Sequence, residues 1–189
     1  MEAFINPPKK IPFYLRPGLW IAKKVTGKDL DVPKLLAWYP KAAIGSAALE
    51  ALVAHKDETL DERMLKLVRM QASFAALCPF CINMNSSAFA KAGITHAEVA
   101  ALQDVELIHN SDTFTAREKL ALEYARLISA TPLAFPRDFI ERLKQNFTER
   151  EIVILASTAA QVNYWARLIQ GLGIQPAGFS DACDIPNRM

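Results

Sequence analysis

Residues 77–83 read Leu77-Cys78-Pro79-Phe80-Cys81-Ile82-Asn83 and hold two of the three cysteines in this 189-residue chain. Pro79 suits the first position of a helix, where its missing N–H leaves no bond unmade, so Cys78 is predicted to be the N-cap residue. Cys81 then lies one turn further on, within bridging distance of Cys78. The spacing favours a redox-active dithiol; the alternative is that both cysteines are small apolar packing residues.

The overall composition argues against several classes of function. The chain carries 22 basic and 20 acidic residues, a formal charge of +2, which gives no electrostatic argument for a nucleic-acid partner or an anionic membrane. No apolar run is long enough to span a bilayer, and the residues before Pro12 lack the apolar core of a secretory signal. Because three cysteines do not make a disulfide framework, we expect a cytoplasmic protein.

Neither a metal nor a cofactor is expected. The Cys-x-x-Cys pair supplies two zinc ligands, and no second cysteine or histidine pair follows at the spacing of a zinc site. A Gly-rich phosphate loop, a dinucleotide-binding fingerprint and a serine nucleophile elbow are also missing from the sequence. Cys183, in the Pro- and Gly-containing tail, is predicted to be an unpaired thiol.

Helix starts are marked by a repeated pattern in which Thr is followed three residues later by Glu, just before an apolar periodic run. This capping-box pattern occurs at Thr59 and Glu62, Thr95 and Glu98, Thr115 and Glu118, and Thr148 and Glu151. No stretch alternates as a half-buried strand does, so the sequence predicts an all-α protein of about seven to nine helices. The helix that carries the cysteines is expected to reach about Lys91 and to be closed by Gly93.

We expect a single domain over residues 1–189, because neither a linker nor a low-complexity run divides the chain. Residues 1–40 are interpreted as an N-terminal extension and residues 174–189 as a tail. The last long helix, Ile152 to Leu172, is apolar nearly all round at its start, which is typical of the centre of a core or of a subunit interface.

The sequence resembles the carboxymuconolactone decarboxylase superfamily, and within it the alkylhydroperoxidase D (AhpD) type, over roughly Lys41 to Gly173. The resemblance rests on residues 61–69 leading into the Cys-x-x-Cys motif, on Ala92-Gly93-Ile94, and more loosely on residues 118–125, 147–153 and 163–167. It implies an AhpD-like helical bundle that assembles as a dimer, trimer or hexamer, often through intertwined helices.

The two cysteines can be assigned their roles in two ways. The resemblance implies that Cys81 attacks the peroxide and that Cys78 resolves the product. The capping argument instead makes Cys78 the more acidic thiol, because its sulfur faces the unpaired N–H groups and the positive end of the helix dipole. The sequence leaves both assignments open.

Three positions depart from the pattern of the AhpD type, the redox branch of this superfamily. That pattern has a Glu twelve residues before the first Cys, a His between the two cysteines and another His four residues after the second, which together form a proton relay. The corresponding residues here are Lys66, Phe80 and Asn85, and none is a base near neutral pH. Lys66 and Asn85 are nevertheless candidate site residues, since a cation or an amide can stabilise a thiolate. Alternatively, Lys66 is a solvated helix residue and Asn85 bonds to backbone.

Other polar residues are weaker candidates for the missing relay. They are Glu50 and His55, which precede the motif, and His96, which lies inside a capping box and is therefore expected to be exposed. Asn163 and Arg167, one turn apart on the last helix, form a polar patch or a bridge between helices or subunits.

The predicted function is that of a thiol-dependent, alkylhydroperoxidase-like antioxidant peroxidase or disulfide oxidoreductase. Its expected partners are a hydroperoxide or another small molecule, a dithiol reductant and further copies of the chain. Two alternatives remain: a member of the superfamily that binds a ligand or partner without redox turnover, and a lactone decarboxylase-like enzyme, for which no proton donor can be located in the sequence.

Overall fold

The computed structural model describes residues 3–53 and 55–180, and within these ranges all regular secondary structure is helical. Ten α-helices are present there: α1 (Arg16–Thr26), α2 (Asp31–Leu35), α3 (Pro40–Leu52), α4 (Glu62–Ala75), α5 (Pro79–Asn85), α6 (His96–Ala101), α7 (Val105–Asn110), α8 (Ala116–Ser129), α9 (Arg137–Asn146) and α10 (Glu149–Gly171). The all-α class is confirmed, whereas the expected seven to nine helices are too few. Helix α7, for example, begins without a Thr–Glu pattern. Its N-cap residue is Asp104, whose side chain accepts the Glu106 N–H at 2.8 Å.

Three of the four predicted capping boxes are formed, at the starts of α6, α8 and α10. The fourth prediction, at Thr59 and Glu62, is wrong because the N-cap residue of α4 is Asp61, whose Oδ1 accepts the Met64 N–H at 2.8 Å. Thr59 instead bonds to the side chain of Asp57. A carboxylate placed two residues later therefore replaces the threonine as the cap.

The core is built by α4, α8 and α10, which pack against one another along their apolar faces. Its buried side chains include Leu65, Val68, Leu120, Leu155 and Val162. The long helix α10 spans 23 residues. Within the described ranges, none of the helices combines the length and apolar character that crossing a bilayer requires.

The cysteine-bearing helix α5 is shorter than expected. It ends at Asn85, and Ala88 then adopts a left-handed conformation with φ of 53° before a 3-10 turn over Phe89–Ala92. Gly93 adopts the predicted left-handed conformation, with φ of 69°, which glycine tolerates without strain, but it closes this turn and not the cysteine-bearing helix. The shortness of α5 matters for the site, since all its side chains lie within two turns of the cysteines.

Candidate functional site

Cys78 and Cys81 form a disulfide at the N-terminus of α5, with their Cα atoms 5.2 Å apart. Cys78 is the N-cap residue, and its Sγ accepts the Cys81 N–H at 3.2 Å, while Pro79 opens the helix. The local prediction from the sequence is therefore confirmed. The sulfur of Cys78 occupies the place where a helix start stabilises negative charge.

Both cysteines are buried, with Cys78 0% and Cys81 3% exposed. Their surroundings are apolar and come from distant parts of the chain: Val32, Leu35 and Leu36 from the α2 region, Phe80 from α5, Ala166 and Ile169 from α10, and Ile174 beyond it. Part of the segment interpreted as an N-terminal extension thus contributes a wall of the site. The disulfide lies in a closed apolar environment.

The link between α4 and α5 fixes the position of Cys78. Leu77 has φ of 48°, an uncommon conformation for a residue with a side chain, and turns the chain sharply. The Cys78 N–H then donates to the Ser73 carbonyl at 3.3 Å. Cys78 is therefore held by backbone geometry on its N-terminal side and by the helix on its C-terminal side.

Asn85 reaches the same link from the other end of α5. Its Nδ2 donates to Ser73 Oγ at 2.9 Å, and this hydroxyl donates to the Arg69 carbonyl at 2.8 Å. Ser73 is fully buried, so its hydroxyl needs these partners. Asn85 thus connects α5, which carries Cys81, to Ser73, whose carbonyl accepts the Cys78 N–H.

Lys66 points to the end of α5. Its Nζ donates to the Ser87 carbonyl at 2.7 Å, and burial lowers the pKa of the Lys66 ammonium, with the charge of Arg69 adding to the effect. An ammonium at the C-terminal end of a helix is favourably placed against the helix dipole. The interactions of Lys66 and Asn85 place both around α5, one at its end and one at its contact with α4.

Glu50 and His55 belong to a polar network between α3, α4 and α10. The Glu50 carboxylate accepts hydrogen bonds from Gln161 and, at 2.9 Å, from the Trp165 indole N–H, and Trp165 packs against the cluster that contains both cysteines. His55 Nδ1 lies 2.6 Å from Arg69 Nη1. Since the guanidinium can only donate, Nδ1 is the acceptor and the imidazole is neutral.

The environment of His55 favours this neutral form of the imidazole. Burial lowers the pKa of His55, and the positive charge of Arg69 lowers it further. Glu50, in contrast, contacts the edge of the cysteine cluster through its hydrogen bond with Trp165.

The remaining candidates have other contacts. His96 is exposed, as predicted, and its ring packs edge-on against Phe89 with the centroids 4.8 Å apart. Asn163 bonds to Ser129 and Arg167 to Thr131, so the pair bridges α10 to the end of α8. Cys183 lies outside the described residues.

Sequence reasoning missed Asn83, which binds the chain beyond α10. Its Oδ1 accepts the Phe179 N–H at 2.7 Å, and its Nδ2 donates to the Ser180 carbonyl at 2.7 Å. No local pattern marks these partners, because they lie almost a hundred residues away. The only available signal was the position of Asn83 two residues after Cys81.

The helical core has the AhpD-like fold, and it carries a Cys-x-x-Cys pair at the start of α5. Two solved structures illustrate it. The debrominase Bmp8 aligns with a TM-score of 0.78 and 17% identity over 95% of this chain and 93% of its own. A peroxidase-related protein from Ralstonia eutropha JMP134, described as an alkylhydroperoxidase AhpD core, aligns with a TM-score of 0.77 and 16% identity over 93% of each chain. The resemblance inferred from the sequence is thereby confirmed for the fold.

A relative is also found by sequence. The uncharacterized protein YnjA of Escherichia coli K12 is 26% identical over 184 residues, which cover 97% of this chain and 98% of YnjA. No family model matches the chain.

Proposed function

We propose that this protein is a thiol-dependent oxidoreductase that reduces a hydroperoxide through reversible oxidation of Cys78 and Cys81. The disulfide at the N-cap of α5 carries this proposal, because it joins a pair of cysteines one turn apart at a site that favours the thiolate. A peroxidase-related protein with the same fold supports the substrate class.

The reaction begins with the reduced dithiol. One thiolate attacks the terminal oxygen of the hydroperoxide, the O–O bond breaks, and the alkoxide leaves and takes up a proton to become an alcohol. The attacking cysteine becomes a sulfenic acid, and the second thiol displaces its hydroxyl group as water to form the disulfide. An external dithiol then returns two electrons by thiol–disulfide exchange.

The polar groups around α5 hold the helix, and with it the two cysteines, in place. Asn85, through Ser73, holds the α4–α5 link that orients Cys78, and Lys66 holds the end of α5. The Glu and His positions of the redox branch are filled by Lys66, Phe80 and Asn85, so the alkoxide takes its proton from solvent or from a more distant group. We therefore expect slow turnover compared with an enzyme that has a proton relay.

The test compares three single substitutions, Cys78→Ser, Cys81→Ser and the matched control Cys183→Ser. Consumption of cumene hydroperoxide with excess dithiothreitol should be lost in one of the first two variants, strongly reduced in the other, and retained in the control. In the variant that lacks the resolving thiol, treated with peroxide after removal of dithiothreitol, the sulfenic acid persists and reacts with a 1,3-dione, so mass spectrometry identifies the attacking cysteine. If both variants consume peroxide as fast as the parent, the proposal is wrong.

The same assay addresses the alternatives. The debrominase Bmp8 shares the fold, so 2,3,4-tribromopyrrole, the compound present in one of its solved structures, belongs in the substrate panel. A protein that binds without redox turnover would show thiol pKa values at or above the ordinary value of about 8.5.

We also propose that the chain assembles with copies of itself. Helix α1 buries none of its residues, and α3, which is largely apolar, buries only Ser46. Exposed apolar side chains on these helices and in the turn before α1 include Phe13, Trp20, Val25, Ile44 and Leu52. Apolar surface of this kind is usually covered by a partner.

The charge distribution favours a second copy as that partner. Residues 3–28 contain no acidic residue and six basic ones, Lys9, Lys10, Arg16, Lys23, Lys24 and Lys28. Outside this segment the chain has 16 basic and 20 acidic residues. The basic segment of one copy therefore complements the body of another.

A further inference from the structure

The chain after α10 folds back onto the apolar cluster that contains the cysteines. We call residues 174–180 the C-terminal strap. Ile174 is buried in the same apolar cluster as Cys78 and Cys81, and Ala177 and Phe179 pack against that cluster. The ring of Phe179 meets the ring of Phe80 edge-on, at 6.4 Å between centroids. The strap thus packs against Phe80, one of the two residues between the cysteines.

Asn83 fastens the strap to the cysteine-bearing helix. Its side-chain amide binds two consecutive residues, accepting the Phe179 N–H and donating to the Ser180 carbonyl, both at 2.7 Å. Both the oxygen and the nitrogen of the Asn83 amide are used. A side chain that lacks either the acceptor or the donor cannot make the same pair of hydrogen bonds. The contact ties the strap to a residue two positions after Cys81.

Lys28 provides a second attachment from the N-terminal side. Its Nζ donates to the Gly178 carbonyl at 2.9 Å and lies 5.7 Å from the centre of the Phe179 ring. The contacts at the outer end of the strap thus include three hydrogen bonds and two ring contacts. None of these contacts involves a residue of the core cluster formed by α4, α8 and α10, so we expect that the strap opens without unfolding of the core.

We propose that Asn83 is a specificity-determining residue: by pinning the C-terminal strap against α5, the helix that bears the Cys78–Cys81 disulfide, it makes access of a protein-sized reductant depend on strap opening, whereas small reactants reach the buried sulfurs through smaller local motions. Both sulfurs are almost completely buried, so a large reductant cannot reach them in the closed arrangement. Attack of a thiolate on a disulfide needs an approach in line with the S–S bond, which a protein achieves only when the strap has moved. The inference rests on the proposed redox function of the pair.

The test measures reduction of the disulfide directly, in the full chain, with two reductants of different size. Tris(2-carboxyethyl)phosphine is the small probe and reduced thioredoxin is the protein-sized probe, and released thiols are counted in each case. Asn83→Ala is expected to speed reduction by thioredoxin about tenfold, because two hydrogen bonds that hold the strap are lost. Reduction by the phosphine should change much less.

The matched control is Asn163→Ala, which also removes a half-buried amide with two hydrogen bonds, but at the contact between α10 and α8. Its reduction rates should equal those of the parent. Phe179→Ala, on the strap itself, should also speed reduction of the disulfide by thioredoxin, as Asn83→Ala does. Circular dichroism should show that each variant is folded.

Two results would overturn the inference. The first is an Asn83→Ala variant that thioredoxin reduces at the parent rate. The second is equal acceleration with both reductants, which would mean that the strap does not select by size. Because thiol release is measured without a peroxide, failure of the peroxidase assay would contradict the proposed function and leave the reductant comparison intact.

Discussion

Arg63 Nε donates a hydrogen bond to Glu118 Oε1 across 2.7 Å, and the same guanidinium donates through Nη2 to Glu98 Oε1 at 2.5 Å. These two glutamates are the reciprocal members of the capping boxes of α8 and α6. One arginine on α4 therefore connects the starts of two other helices. A similar pair, Arg117 and Glu151, connects α8 to the start of α10.

Arg63→Ala should lower the free energy of unfolding by about 3 kcal/mol. Removal of one partner of a buried ion pair typically costs about 3–5 kcal/mol, because the remaining charge stays buried without its counterion. Here two buried carboxylates lose their partner, although the arginine itself is partly exposed. Urea unfolding followed by circular dichroism measures the difference. The control is Arg137→Ala, because Arg137 is exposed. This substitution should change the free energy of unfolding by no more than about 0.5 kcal/mol.

Glu151 should make the fold sensitive to acid. Burial alone would raise the pKa of Glu151, but the Thr148 N–H and the Arg117 guanidinium outweigh burial and lower this pKa to about 2. A carboxyl whose pKa is lower in the folded state stabilises the fold above its ordinary value of about 4.5, and this contribution is lost as the pH falls towards 2.

The measurement for Glu151 is the free energy of unfolding between pH 3 and 7 for the parent and Glu151→Gln. The variant should be clearly less stable at pH 7, and the difference should shrink as the pH falls below 4.5. A difference that stays constant over this range would show that the charge of Glu151 does not stabilise the fold.

Thr158 offers a substitution that should stabilise the protein. Its side chain is fully buried in α10, and within the described part of the chain its hydroxyl oxygen has no hydrogen-bond partner. Thr158→Val keeps the shape and removes the buried polar group, so the free energy of unfolding should rise by about 1 kcal/mol. Thr148→Val, the same change at an N-cap, should lower it by about 1 kcal/mol. Loss of stability in both variants would show that the Thr158 hydroxyl is satisfied in solution.

The helix starts could be predicted where the signal was local. The capping boxes at Thr95, Thr115 and Thr148, and the helix that opens at Pro79, depend on residues three or four positions apart, and all four were confirmed. The start of α4 was misplaced because Asp61 and Thr59 are both good caps. Local chemistry alone does not choose between them.

The surroundings of the cysteines could not be predicted, because they depend on packing between distant segments. Asn83 meets Phe179 and Ser180 only through the path that the chain takes after α10. The sequence marked residues 174–189 as a tail, since a Pro- and Gly-containing stretch has no periodicity. Likewise, a segment interpreted as an N-terminal extension supplies Val32 and Leu35 to the cluster around the disulfide.

The proposed assembly predicts that a charge placed on α1 or α3 will separate the copies. Trp20 is 62% exposed and Leu52 is 85% exposed in the single chain, and burial of such side chains against a partner would contribute most of the association energy. Sedimentation velocity should show the parent as an oligomer at micromolar concentration. Trp20→Glu and Leu52→Glu should each weaken association at least tenfold, because an unpaired carboxylate at an apolar interface is costly to desolvate.

Leu133→Glu is the control for these variants, since Leu133 is an exposed apolar residue in the loop between α8 and α9. It should sediment as the parent does. The basic segment adds a second signature: if residues 3–28 of one copy contact the more acidic body of another, association should weaken as the salt concentration rises. A parent protein that sediments with the mass of one chain at all salt concentrations would contradict the assembly.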